Sequence, residues 1–269
     1  MEKMNQDPHE WQPRRRRLSA MHLCGLLFVF IFIAALWSMP YSSRETDWME
    51  NVGRFIKRLF PPDFSTWRDF LTALLETCQI AVIATVSAFA LSIPLSALAS
   101  RNIAPRWVTV PMRFFLNAVR TVPGLLWAIV AVAVVGVSPW AGVLALIIYS
   151  LGYLGKFYSD AIESVDFSVA RSLKAMGAHP VQAVQYGLWP LLKPLVWSQA
   201  LWMLEYNIRS ATIIGYVGAG GVGTLLHTYQ EYFQWNKVSA ILIFVLAVVV
   251  LLDAIGEWVR RKLNVTSPK

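Results

Sequence analysis

The sequence predicts an all-α polytopic membrane helical bundle of about six transmembrane helices. Three observations predict it. The chain is 56% hydrophobic and only 15% charged over 269 residues, whereas soluble domains carry about a quarter charged residues. Its apolar residues are gathered into uncharged runs of about 20, the length a helix needs to cross a bilayer. Its 24 Lys and Arg, against 16 Asp and Glu, cluster at the ends of those runs. That placement is a topology signal. A nucleic-acid surface would interleave aromatics with the basic residues, and none are interleaved here.

The spans follow in order. Residues 1–20 form a tail in which Arg14–Arg17 precede the first run, 21–38. This run is long enough to span and shows no small-residue cleavage site, so it reads as a retained helix. The second run is 71–99, uncharged from Ile80 to Ser100. The third, 113–137, is expected to be disturbed near Pro123. The fourth is 141–164, the fifth 195–217 and the sixth 238–258. Residues 71–258 therefore form one core, and 259–269 a second tail. Alternate loops are basic throughout: Arg14–Arg17, then Arg101 and Arg106, then Arg171, Lys174 and Lys193, then Arg260, Arg261 and Lys262. The other loops are balanced or bare. Both termini are expected in the cytoplasm.

Within 39–70, Trp48, Val52, Phe55, Ile56, Leu59 and Phe60 mark one helical face, ended by Pro61 and Pro62. This is either a helix lying on the outer membrane surface or a lid packed on the bundle.

A polar segment, 166–194, separates the fourth and fifth spans. Phe167, Val169, Leu173 and Met176 share a face of a short helix, Gly177 can end it, and Pro180 can open the next. Val181, Val184 and Leu188 recur at helical spacing until Pro190 stops the run. The segment offers an apolar ridge to a cytoplasmic partner.

Parts for soluble catalysis are missing. Gly155-Lys156 is followed by Phe157, so there is no phosphate-binding loop, and no nucleophile elbow or paired-histidine motif exists. Cys24 and Cys78 read as small apolar residues, and His9, His22, His179 and His227 are too scattered to bind metal. No cofactor and no catalytic residue is expected.

Two charged residues interrupt the fifth span. Glu205 and Arg209 lie four apart, so they share a face and can pair. They are either a structural pair or part of a water-filled path. Arg120, before Pro123, is either a path residue or a side chain snorkelling at a helix end. Asn207 lies between the charged pair and joins them along the candidate path. Gly215, Gly218, Gly220, Gly221 and Gly223 place five glycines in nine residues. They permit a sharp reversal, with Gly218, Gly220 and Gly221 as a gate or as small residues for helix packing.

Gly177, Pro190 and Pro194 within GAHPVQAVQYGLWPLLKP resemble the EAA loop of ABC importer permeases, the element that docks into the ATPase. Where that family carries Glu-Ala-Ala, this chain has Arg171, Ser172 and Leu173. From about Pro61 onward, PPDFSTW, RTVP at 120–123 and NIRSATIIGYVGAGGVG at 207–223 are similar to permeases of phosphonate importers, a group that includes phosphite and hypophosphite permeases. The resemblance implies a MetI-like type I fold in a bacterial inner membrane. It implies a second permease subunit, identical or related, two ATP-binding cassette subunits and a periplasmic binding protein. It implies that Arg171, Leu173, Met176, Gly177, Val181, Val184, Leu188 and Pro190 serve ATPase coupling. The rival reading is a secondary transporter or intramembrane enzyme that uses Glu205 and Arg209.

Overall fold

The computed structural model describes residues 20–39 and 47–265, and the regular structure there is helical throughout. The basic run Arg14–Arg17, Arg44 and the last four residues lie outside the described residues. The chain divides into two units, Met1–Val52 and Gly53–Lys269. In the first, α1 (Ala20–Ser38) carries no Asp, Glu, Lys or Arg and is apolar on every face.

Helix α2 (Trp48–Leu59) crosses the division and is strongly amphipathic, as the spacing predicts. Within the second unit its end is docked. Phe55 meets Trp235 edge-on at 5.0 Å, and the Ser239 hydroxyl donates to the Leu59 carbonyl at 2.6 Å.

The second unit is built on α3 (Trp67–Ala99) and α6 (Pro139–Ser164). Small residues let their backbones approach closely. On α3, Thr77, Ala81, Thr85, Ala88, Ser92 and Ser96 recur along one face, and all are buried. Their hydroxyls are satisfied locally: Thr85 donates to the Ala81 carbonyl at 2.7 Å and Ser96 to Ile93 at 2.7 Å. On α6, Gly142, Ala145, Gly152 and Gly155 are buried in the same way. A β-carbon on Gly152 would lie 3.0 Å from the Leu116 carbonyl of α4 (Arg106–Thr121).

The third expected span is not one rod. Helix α4 and α5 (Gly124–Val135) meet at Val122-Pro123 with a bend of 91°. Proline removes a backbone donor and forces the residue before it out of helical geometry, and Val122 is extended, with ψ 123°.

The fifth span also departs from expectation. Pro190 does not stop the run. After α7 (Ser168–Ala175) and α8 (Pro180–Ala183), residues Val184–Leu188 form a π-helical turn that leads into α9 (Trp189–Ile214). Pro190 sits in the first turn of α9, where its missing donor is tolerated. The wide turn absorbs the mismatch between α8 and α9. Helix α9 ends at Ile214. A second wide turn, Gly215–Ala219, then reverses the chain into α10 (Val222–Glu231), and α11 (Trp235–Val265) closes the unit.

Three helices are long and apolar enough to cross a bilayer singly: Trp67–Ala99, Pro139–Ser164 and Trp235–Val259, of mean hydropathy 2.0, 1.4 and 3.0. The bent pair α4–α5 meets the same test together, and α1 offers a shorter apolar stretch, His22–Ser38.

Candidate functional site

Three places along α6 and α9 collect the functional side chains. At one end is segment 166–194, the expected coupling element. Its turn is made by local chemistry. Gly177 has φ +92°, and the Ala178 amide bonds the Leu173 carbonyl at 3.0 Å while the Gly177 amide bonds Lys174 at 3.0 Å. This left-handed helix stop needs glycine. The next helix is opened by a reciprocal cap: the His179 amide donates to the Gln182 side chain at 3.0 Å, and the Val181 amide donates to His179 Nδ1 at 3.4 Å. At the start of α7, Asp166 accepts from the Ser168 amide at 2.8 Å and the Ser168 hydroxyl at 2.7 Å. Those two bonds hold its carboxyl below the usual carboxylate range.

The ridge is narrower than expected. Met176, Val181 and Val184 are exposed at 76%, 64% and 51%, with Arg171 and Pro190 also exposed. Leu188 is buried in a cluster that includes Tyr158 and Ala183, and Leu173 is half-buried against the same cluster. These two hold the segment to the bundle, because a helix of this length buries one face and shows the other. Behind the segment, a cavity of about 690 Å³ is lined by Ile103, Asp166, Phe167, Arg171, Lys174 and Val184, among others. Arg113 of α4 donates to the Ala99 carbonyl at 2.7 Å and forms an ion pair with Glu163. Glu163 also accepts the Arg101 amide at 2.6 Å.

Near the middle of the helices lies a buried polar joint. Asn207 of α9 donates to Thr85 of α3 at 2.9 Å and exchanges bonds with Ser150 of α6 at 2.9 and 3.1 Å. Asn207 and Ser150 are fully buried. Asn207, expected along a path, is here bonded to two neighbouring helices. A buried amide that satisfied its partners on two other helices is fixed, and removing it would orphan them.

Arg209 reaches across helices. Its Nη1 donates to both oxygens of Asp253 on α11, at 2.9 and 3.2 Å. Glu205 lines the same cleft. The sequence reading missed Asp253, although a lone acid inside an apolar run is the signal that finds it.

Arg120 is in the last turn of α4. Its backbone lies beside Gly152, in the middle of α6, at the 91° bend. The guanidinium sits over the Tyr153 ring at 5.4 Å. Tyr153 begins an aromatic sheet missed from sequence. Tyr149 stacks on Tyr206 at 5.4 Å, Trp202 stacks on Tyr206 at 5.8 Å, and Tyr206 donates its hydroxyl to the Tyr149 oxygen at 3.0 Å. Aromatics four apart on each helix, 149 and 153, 202 and 206, are the signal.

At the other end, the glycine turn packs against the start of α6 and the upper part of α3. The Val222 amide donates to Thr77 Oγ1 at 2.9 Å. Gly218, Gly220 and Gly221 have φ of +91°, +83° and +71°. They line a cavity of about 440 Å³ with Asp69, Glu76 and Ser138, among others. The turn is tightly packed beside a cavity with a partly polar lining.

Comparison with known proteins follows this geometry. Residues 92–265 match the family described as binding-protein-dependent transport system inner membrane component. The chain is 38% identical to the phosphite transport system permease protein PtxC of Stutzerimonas stutzeri, over 86% of this chain and 85% of that protein. It is 35% identical to the putative phosphite transport system permease protein HtxC of the same organism, over 92% and 87%. The phosphate-import permease protein PhnE of Mycolicibacterium smegmatis is 33% identical over 96% of this chain, which spans 49% of that protein. Among solved structures, the inward-facing MetNI methionine ABC transporter matches with TM-score 0.63 at 19% identity, over 72% of this chain and 95% of the other. An amino acid ABC transporter with histidines matches with TM-score 0.62 at 15% identity, over 74% and 98%. The last two establish the fold.

Proposed function

The chain belongs to the family of binding-protein-dependent transport system inner membrane components, and on that premise we propose that it carries phosphite, or a phosphonate of similar shape, inward. It is a multi-pass inner-membrane permease that works with a separate ATPase and a binding protein. The observation that carries the ligand class is the likeness to two phosphite transport permeases over most of both chains.

The mechanism is alternating access. Two ATPase subunits close on ATP and pull the coupling segments of two permease subunits. Met176, Val181 and Val184 form the ridge that enters the ATPase. Gly177 sets the angle between α7 and α8, and Leu173 and Leu188 pass the movement to α6 and α9. The ATPase drives the change only by binding the two states of this segment differently. The glycine turn is the outer gate, which a loaded binding protein meets when it opens. Arg120, and Arg209 beside Glu205, supply positive charge at depth, where an anion needs fixed donors. In this reading both termini and the coupling segment are cytoplasmic.

The test is reconstitution of the permease with its ATPase and binding protein in vesicles. ATP-dependent uptake of phosphite or methylphosphonate is expected, and Val181→Asp with Val184→Asp abolishes it while leaving the permease inserted. Proton-driven uptake by the permease alone, without ATP, overturns the reading in favour of a secondary transporter.

A further inference from the structure

Arg120 is the least explained cation in the bundle. It is half-buried. Its backbone is level with the middle of α6, and among the described residues its guanidinium has no carboxylate partner and donates no hydrogen bond. Its contact is the face of Tyr153. A cation at that depth is stable only beside a partner or a water-filled path. Elsewhere in the bundle the rule is kept by pairing: Arg113 has Glu163, Lys156 has Asp160, and Arg209 has Asp253.

The neighbouring hydroxyl is also incomplete. Tyr206 donates to Tyr149, so the Tyr149 oxygen is an acceptor there and its own hydrogen remains to be given. Among the described residues Tyr149 donates to no one. Tyr149 lies 5.6 Å from Tyr153, ring to ring, and against Gly124, just past the bend that carries Arg120. Beside this pair of donors stand the aromatic faces of Tyr153, Trp202 and Tyr206, with Tyr153 and Trp202 6.0 Å apart and Trp202 and Tyr206 5.8 Å apart, ring to ring.

From this we infer that Arg120 and Tyr149 form a transient station for a tetrahedral phosphorus oxyanion. The inference rests on the importer reading and names a site within it. Arg120 takes the anionic oxygens through its forked donors, and Tyr149 donates to a third oxygen. The aromatic faces accept the one substituent that is not oxygen, a P–H or P–C group, which needs no hydrogen bond. The stack of Tyr206 on Tyr149 holds the hydroxyl in place. Cation–π contact with Tyr153 keeps the empty guanidinium from collapsing onto the helix. The station is weak, as a path requires, because two donors compensate only part of the anion's lost hydration.

The test uses the complete transporter in vesicles, with phosphite and methylphosphonate as probes and ATP hydrolysis stimulated by loaded binding protein read in parallel. Tyr149→Phe keeps the ring and its stack and removes the donor. It is expected to lower uptake of both anions by about fivefold, the size of one neutral hydrogen bond, with stimulated ATP hydrolysis within about twofold of wild type. Arg120→Gln is expected to lower uptake by at least about tenfold, and Arg120→Lys to restore part of it. Wild-type uptake that survives both Tyr149→Phe and Arg120→Gln overturns the station and leaves the importer reading intact. Wild-type vesicles that hydrolyse ATP on stimulation but take up neither anion overturn the importer reading, and the station with it.

Discussion

Two glycine turns flank α9, and they need glycine for different reasons. Gly177, at the coupling end, has open space around it: a β-carbon there would meet nothing within 4 Å. What excludes other residues is φ of +92° alone. Gly223, at the other end, has no such backbone constraint. A β-carbon there would lie 2.2 Å from the Thr212 carbonyl and 2.5 Å from the Tyr216 amide. Gly221 combines both demands, with φ +71° and Thr77 Oγ1 at 2.4 Å from the added atom. One turn is a local conformation displayed to solvent, and the other is a packed joint. A displayed turn can be read by a partner, whereas a packed joint can act only by opening.

The sharpest way to break this contrast is Gly223→Ala. Because backbone atoms on both sides must move, the expected loss is on the order of 3 kcal/mol or more, as in overpacked cores. The checks are the yield of monodisperse protein in detergent and its thermal midpoint. A variant as stable as wild type would mean that the turn is loose, and the idea of a tight constriction would fail.

Gly177→Ala is expected to act more gently and elsewhere. Left-handed geometry costs a residue with a β-carbon about 1 kcal/mol. The thermal midpoint of the bundle should hold, while amide exchange across 168–183 speeds up and coupled ATP hydrolysis falls. A large fall in the midpoint would show that the coupling turn is as deeply embedded as the glycine joint.

The smallest effect belongs to Asp166. Its folded carboxyl titrates below the ordinary value of about 4. Its contribution to the first turn of α7 is therefore present above that ordinary value and is lost as pH falls through the depressed one. Amide exchange at Ser168 should be steady from pH 7 to about pH 5, after correction for the intrinsic rate, and should rise in excess below about pH 4. Asp166→Asn should remove that excess. An unchanged profile in the Asn variant would assign the effect to another group.

Much of the coupling end was legible in the sequence, because its signals are close neighbours. Gly177 after an apolar periodic helix and Pro180 at the next helix start each act within one turn. Reading Pro190 as a stop failed because proline in a first helical turn is tolerated, and a π-helical turn before it absorbed the mismatch. Leu188, expected on the ridge, is buried in the cluster that holds Tyr158, at the end of the wide turn. The path was less legible. Glu205 and Arg209 pointed to a charged level in the bundle, but Asp253, the residue that Arg209 bonds, is 44 positions away.

The sequence by itself determined that this protein is a helical membrane bundle, where the Gly177 turn falls and which family it joins. Those properties follow from hydrophobic run length, helix punctuation and motif, each readable within a short window. Only the tertiary structure decided that Asn207 is a buried joint of three helices, that Arg120 lies beside the middle of α6 and over Tyr153, and that Gly223 is closed in by backbone. Each depends on which helices become neighbours. In a bilayer that choice is made by small residues and hydrogen bonds between segments distant in the chain, so no local pattern contains it.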